Sequence, residues 1–143
     1  MKVKKIHSDA KLPSYGSKDA AGADLYAYLK EAVTILPGET KMIPTGICME
    51  IPQSYAGFIY ARSGLASKKG LAPANKVGVV DSDYRGEILV ALHNHSLQAQ
   101  NVEPYERIAQ MVIAPFIQVT FEEVEDLSYT ERGAGGFGST GSK

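Results

Sequence analysis

Apolar residues along this chain fall in short runs separated by glycine, proline and acidic turns. VTIL stops at Pro37-Gly38-Glu39, KMIPTGICMEI stops at Pro52, and YAGFIYA leads into Arg62. KVGVV, EILVALHN, RIAQMVI and FIQVTFEEV follow in the second half. Runs this short, rich in Val, Ile, Tyr and Phe, have the signature of strands. RIAQMVIAPF is apolar at both parities, which predicts a strand covered on both faces, by a second sheet or a second subunit. Helical periodicity is nearly absent. The exception is SGLASKKG, residues 63–70, where Ser63 is placed to cap and Gly70 to stop one short helix. KVGVV and EILV flank DSDYRG and predict a hairpin with a longer loop. Many short strands between turn signals predict an all-β sandwich, barrel or jelly roll. No repeat or second domain interrupts the pattern. One body is expected over residues 1–129, followed by a Gly-rich tail over residues 130–143.

Composition narrows the function more than the fold. At 143 residues the chain is long enough to bury a core of its own. A net charge of -1 supplies no global field to recruit nucleic acid or an anionic membrane. The one cysteine, Cys48, excludes an internal disulfide and suits a reducing compartment. Set in TGICMEI, it is expected to be a small strand residue rather than a nucleophile. No apolar stretch approaches the roughly 20 residues of a membrane span. MKVKKIHSDA has basic residues with no apolar run behind them, unlike a secretory signal. The expectation is a cytoplasmic domain.

Chemistry concentrates in a few places. In AGADLYA, Asp24 is flanked by small and apolar residues, so its carboxylate should be partly buried and need a partner or a hydrated cation. In ARSGLA, Arg62 and Ser63 fall at a strand end before the helix, a combination suited to an anion. In DSDYRG, Asp81 lies where the strand gives way to the loop, with the Tyr84 ring close behind. Taken singly, each has a plainer alternative: a turn-capping Asp24, a helix-capping Ser63, a solvated hairpin tip. His7, His93 and His95 match no metal spacing with Cys48, and nothing marks a nucleophile elbow.

The tail, RGAGGFGSTGSK, imitates two nucleotide motifs and satisfies neither. Gly133-x-Gly135-x-x-Gly138 has the spacing of a dinucleotide fingerprint, yet only five residues follow Gly138, too few for the required helix. GSK inverts the order of a P-loop. A flexible spacer would explain the glycines but not Arg132 and Phe137.

Together, AGADLYA, ARSGLA, GVVDSDYRGEI, ERIAQMVI and RGAGGFGSTG, five stretches in order over residues 21–141, resemble the trimeric dUTPase (deoxyuridine 5'-triphosphate nucleotidohydrolase) family. Departures are small: Ala61 stands where many members have Pro, and Tyr105 where a Gly often precedes the acidic residue. The resemblance implies a jelly-roll or distorted β-barrel fold with one short helix, a homotrimer, and Mg²⁺-dependent cleavage of dUTP to dUMP and pyrophosphate. That activity keeps uracil out of DNA and supplies dUMP for thymidylate. By motif position, Asp81 is implied as the general base for the water attacking the α-phosphorus. Arg62, Ser63 and Gly64 would hold the phosphate chain, Gln110 the phosphates or metal waters, and Asp24 a hydrated Mg²⁺ through water. Asn75, Val79 and Val80 would read uracil, Tyr84 would pack on deoxyribose, and Leu89 would line the same pocket. The tail would close over a neighbouring subunit's site, with Arg132 on the terminal phosphate, Phe137 stacked on uracil, and Gly138, Ser139 and Thr140 around the phosphates. A deaminase of the same fold would need a catalytic Glu where VVDSDYRG stands. A non-enzymatic nucleotide sensor would have no use for Asp81 and an intact tail.

Overall fold

A computed structural model describes residues 1–136 of the chain. Its strands are β1 (Lys2–Lys5), β2 (Ser14–Tyr15), β3 (Ala23–Tyr26), β4 (Val33–Ile35), β5 (Thr40–Glu50) and β6 (Tyr55–Tyr60). Helix α1 (Ser63–Lys69) follows, then β7 (Leu71–Pro73), β8 (Gly78–Val80), β9 (Glu87–Asn94), β10 (Gln100–Val102) and β11 (Arg107–Pro115). One sheet runs β1-β5-β9-β7, a second runs β2-β3-β11-β6-β8, and β10 with β4 forms a small ribbon. The fold is all-β apart from the one helix.

Period-2 alternation decides which face of each strand is buried. In β9, Ile88, Val90, Leu92 and Asn94 point inward while Glu87, Leu89, Ala91 and His93 point outward. Ile43, Ile47 and Met49 of β5 join them, and Leu25, Ile59, Ile108 and Met111 close the core from the five-stranded sheet. Asn94 is fully buried at no cost in unpaired groups. Its Nδ2 donates to the carbonyls of Ile35 and Gln98, and its Oδ1 accepts from the Ser96 backbone N–H and hydroxyl.

Three expectations need correction. KVGVV and EILV form strands but no hairpin: β8 pairs with β6, and β9 pairs with β5 and β7. The DSDYRG loop therefore carries the chain from the edge of one sheet into the middle of the other. Ser63 does not cap α1. Arg62 occupies the cap position with extended backbone, φ −87° and ψ 128°, and makes no side-chain cap bond, so Ser63 is the first helical residue. The Gly70 stop does form, with φ 66° and its N–H bonded to the Ala66 carbonyl. Finally, FIQVTFEEV forms no strand within the chain. Among the described residues the last strand ends at Pro115, and Ile117, Phe121, Leu127 and Tyr129 lie exposed beyond it.

Tyr105 shows why a side chain is useful where glycine is common. Its φ of 60° is left-handed, a region that disfavours residues with a Cβ. In return its hydroxyl donates to Asp9 Oδ2 at 2.9 Å, while Tyr28 donates to Asp9 Oδ1 at 2.9 Å. Lys11 Nζ stands 5.1 Å from both the Tyr105 and Tyr26 rings. These contacts fasten the segment around residues 7–11 to the body. The Tyr105 hydroxyl, then that of Tyr28, holds the Asp9 carboxyl below its ordinary value of 3.8. A lowered folded-state value adds stability above the unfolded value, and that stability disappears as pH falls through the folded one. Tyr105→Phe should therefore be less stable than wild type at pH 7, with the gap closing on acidification below about pH 4. Urea midpoints over a pH series check this; a gap independent of pH would remove Asp9 as the partner.

Candidate functional site

Strand pairing collects the first cleft. Gln110 on β11 lies opposite Asp24 of β3 on one side and Tyr60 of β6 on the other. Two residues past Tyr60 comes Arg62, at the mouth of α1. A register shift between Arg107 and Ala109 inserts one extra residue into β11. Plain alternation would send Arg107 and Gln110 to opposite faces. The bulge buries both Ile108 and Ala109 and turns Arg107 and Gln110 to the same cleft.

Asp24 is the anchor of this cleft and is only 7% exposed. Arg62 Nε donates to its Oδ1 at 2.7 Å and Arg107 Nη1 to its Oδ2 at 3.1 Å. Arg62 Nη1 also donates to the Arg107 carbonyl at 3.3 Å. Two guanidiniums against one carboxylate leave a surplus positive charge in a hollow of about 200 Å³, which Ser63 and Gly64 also line. Gln110 Nε2 is fixed on the Ala61 carbonyl at 2.9 Å. A Cβ at Gly22 would stand 2.5 Å from Gln110 Oε1, so the amide's seat depends on glycine there.

Five residues assigned to base and sugar, Asn75, Val79, Val80, Tyr84 and Leu89, meet Asp81, assigned as the general base, in a second cleft of about 290 Å³. Met42, Ile59, Gly78, Glu87 and Ile88 complete its walls. The cleft opens between the sheets because β8 is an edge strand. On an edge strand, alternate residues turn both N–H and C=O away from the partner strand, toward whatever lies beside it. The loop after β8 is tied by its own groups. Arg85 Nη1 donates to the carbonyls of Ser82 at 2.7 Å and Tyr84 at 2.9 Å, and the Tyr84 hydroxyl donates to the Glu87 carbonyl at 2.9 Å. Asp81 also borders a neighbouring hollow of about 480 Å³ with Gln53, Ser54 and Phe116. Among the described residues its carboxylate accepts no side-chain hydrogen bond.

The two clefts share no lining residue. Arg132 lines neither; its Nε donates to the Gly135 carbonyl at 2.8 Å, within the tail. Phe137, Gly138, Ser139 and Thr140 lie outside the described residues. Among the described residues no three His, Cys, Asp or Glu gather to hold a metal directly. His93 and His95 do meet, ring centroids 4.4 Å apart, without a third ligand. Arg107 and Gly22 are the residues that sequence reasoning missed. A buried Asp24 demands a cation, and ERIAQMVI offers one at Arg107, but only the bulge turns it to the right face.

A cationic hollow and, apart from it, a flat-walled cleft on an unpaired strand edge suit a ligand with an anionic chain and a planar ring. That places the chain among nucleotide-binding all-β proteins. A family model described as dUTPase matches residues 8–141, and the chain belongs to that family. The deoxyuridine 5'-triphosphate nucleotidohydrolase of Nautilia profundicola is 54% identical over 141 residues, 99% of this chain and 98% of its own length. The protein of that name from Clostridioides difficile is 47% identical over 99% of this chain and 97% of its own. Among solved structures, a Staphylococcus bacteriophage 80alpha dUTPase with dUPNHPP superposes with a TM-score of 0.88 at 30% identity, over 98% of this chain and 97% of its own.

Asp24→Asn should lower the free energy of unfolding by about 2–3 kcal/mol, because two charge-assisted bonds in a buried setting are lost. Arg107→Gln should cost less, about 1 kcal/mol, since the Arg107 side chain is 50% exposed against 26% for Arg62. Denaturant unfolding measures both; equal or negligible costs would show that Asp24 does not anchor the cleft.

Proposed function

We propose that this chain hydrolyses dUTP to dUMP and pyrophosphate by attack of water on the α-phosphorus, as a Mg²⁺-dependent homotrimer of jelly-roll subunits. The carrying observation is that family residues from distant stretches converge on two clefts of matching chemistry, one cationic and one on an open strand edge. The reaction would protect DNA from uracil and provide dUMP for thymidylate synthesis.

The phosphate chain is held by Arg62, Arg107, Ser63, the Gly64 backbone and Gln110. Gly64 has nothing within 4 Å of where a Cβ would stand, so its backbone is open to a ligand. A carboxylate can accept about four hydrogen bonds, so Asp24 retains acceptor capacity after its two arginine bonds. With Gln110 Oε1, it could accept from the waters of a Mg²⁺ brought in on the substrate phosphates, whose negative charge would offset the surplus positive charge of the cleft. When bound, the ion neutralises phosphate charge as it develops. Asp81 orients the attacking water and takes its proton, and the water oxygen ends on dUMP.

Uracil is read by Asn75 and the edge backbone of Val79, Val80 and Asp81. A close wall leaves no room for thymine's methyl group. Cytosine reverses the donor and acceptor polarity and leaves buried groups unpaired, so it is rejected more strongly. Tyr84 packs on the deoxyribose and closes the space of a 2'-hydroxyl; Leu89 fills the wall behind. We take the complete site to lie between subunits, as the family resemblance implies. Ile117 is 89% exposed and Phe121 92% exposed in a stretch with strand-like alternation, and such a stripe wants a neighbour. From the tail, Arg132 meets the terminal phosphate, Phe137 stacks on the base, and Gly138, Ser139 and Thr140 wrap the phosphates.

In ¹⁸O water, the label should enter the dUMP phosphate; label found only in pyrophosphate would sink attack at the α-phosphorus. Asp81→Asn should bind dUTP nearly normally and lose about three or more orders of magnitude in kcat. Tail sharing is tested by mixing Asp81→Asn with a chain truncated after Glu131. Each parent trimer should be nearly inactive. Random mixed trimers should regain activity at about a quarter of sites, those pairing the Asp81 loop of a truncated chain with the tail of an Asn-variant chain. Recovery no greater than the parents would mean that loop and tail act within one chain.

A further inference from the structure

Gly86 follows the loop that carries Asp81 and Tyr84, and nothing in its backbone demands glycine. Its φ lies outside the left-handed region in which Gly38, Gly46, Gly70 and Gly133 are held. The constraint is a side chain. A Cβ placed on Gly86 would stand 2.3 Å from Tyr84 Oη, 2.5 Å from Cζ and 2.9 Å from Cε2. No real contact is that close, so any other residue would drive the ring away. The Tyr84 hydroxyl meanwhile reaches past Gly86 to the Glu87 carbonyl, at 2.9 Å. Arg85 stands between them in sequence and clamps the loop backbone through Ser82 and Tyr84. Backbone and hydroxyl are thus both held, and the hydroxyl end of the ring lies in the space beside the bare α-carbon of Gly86, at the wall of the second cleft.

We infer that Gly86 is a positioning residue for sugar selection, whose missing side chain is the seat of the Tyr84 ring. The inference rests on the reading of Tyr84 as the wall against a 2'-hydroxyl, and it extends that reading to a residue that touches no substrate. Tyr84 is 45% exposed and lies outside the buried core, so a methyl group at position 86 displaces its ring toward solvent without disrupting the core. A wall set about an ångström out of place loses its fit to deoxyribose, while UTP, which never had that fit, loses less.

The test is Gly86→Ala, alone and combined with Tyr84→Ala. Gly86→Ala should raise KM for dUTP by about tenfold or more, with a smaller change in kcat, and narrow the ratio of kcat/KM for dUTP over UTP. The double variant should match Tyr84→Ala alone, since without the ring the added methyl group meets nothing. A crystal structure of Gly86→Ala should show Tyr84 Oη withdrawn from the Glu87 carbonyl. A ring still in place overturns the proposal, as does a ratio left intact in Gly86→Ala while Tyr84→Ala narrows it. Additive losses in the double variant overturn it as well. If Tyr84→Ala itself leaves the ratio unchanged, the sugar reading of Tyr84 fails, and the seat stands or falls on the ring position alone.

Discussion

One carboxylate holds the cationic half of the molecule together. Asp24 comes from β3, Arg62 from the junction of β6 with α1, and Arg107 from the start of β11, so a single buried anion ties three segments. The arrangement is reciprocal. Asp24 is tolerated in a nearly dry position because two guanidiniums face it. Those guanidiniums are held close together, against their own repulsion, because the carboxylate lies between them. Without it, each arginine would lose an oriented bond and gain rotamer freedom, and the cleft would be a patch of loose positive charge. The orientation of both guanidiniums thus depends on an anion that the protein supplies itself.

Much of this was legible in the order of residues, and the failures have a common cause. EILVALHN and RIAQMVI mark β9 and β11 because their apolar content and β-branched residues act locally. The second cleft was named through the family resemblance: DSDYRG marks a turn, but the roles of Asn75, Val79, Val80, Tyr84 and Leu89 came with the motif, and the strands on either side of the turn do not pair with each other. Partner choice was not legible. KVGVV and EILV look like a hairpin because adjacent strands usually pair, yet each finds more burial in a different sheet. The same limit hid Arg107. Its i, i+3 relation to Gln110 predicts opposite faces of a strand, and only a bulge, which depends on pairing with β3, overturns that. Short elements such as β2 and β10 exist by pairing alone and carry little pattern of their own.

Glycine has two distinct uses in this fold, and they differ in what a substitution would do. At Gly70 the backbone itself is left-handed, so an added side chain strains the chain wherever it points. At Gly22 and Gly86 the backbone is ordinary and the space is taken by the polar end of a neighbour, Gln110 or Tyr84. The first use protects the fold. The second sets where a side chain lies in a cleft, and changes there are expected to spare the fold while moving the cleft.

The stretch beyond β11 has a consequence for the life of the protein in a cell. Ile117, Phe121, Leu127 and Tyr129 follow Pro115 on backbone that belongs to no sheet, and exposed, unpaired segments of this kind are where proteases cut most readily. Any copy in which this stretch stays uncovered is open to cutting just upstream of the Gly-rich tail. Such a cut would leave the β-sheet body folded and remove Arg132 and everything after it.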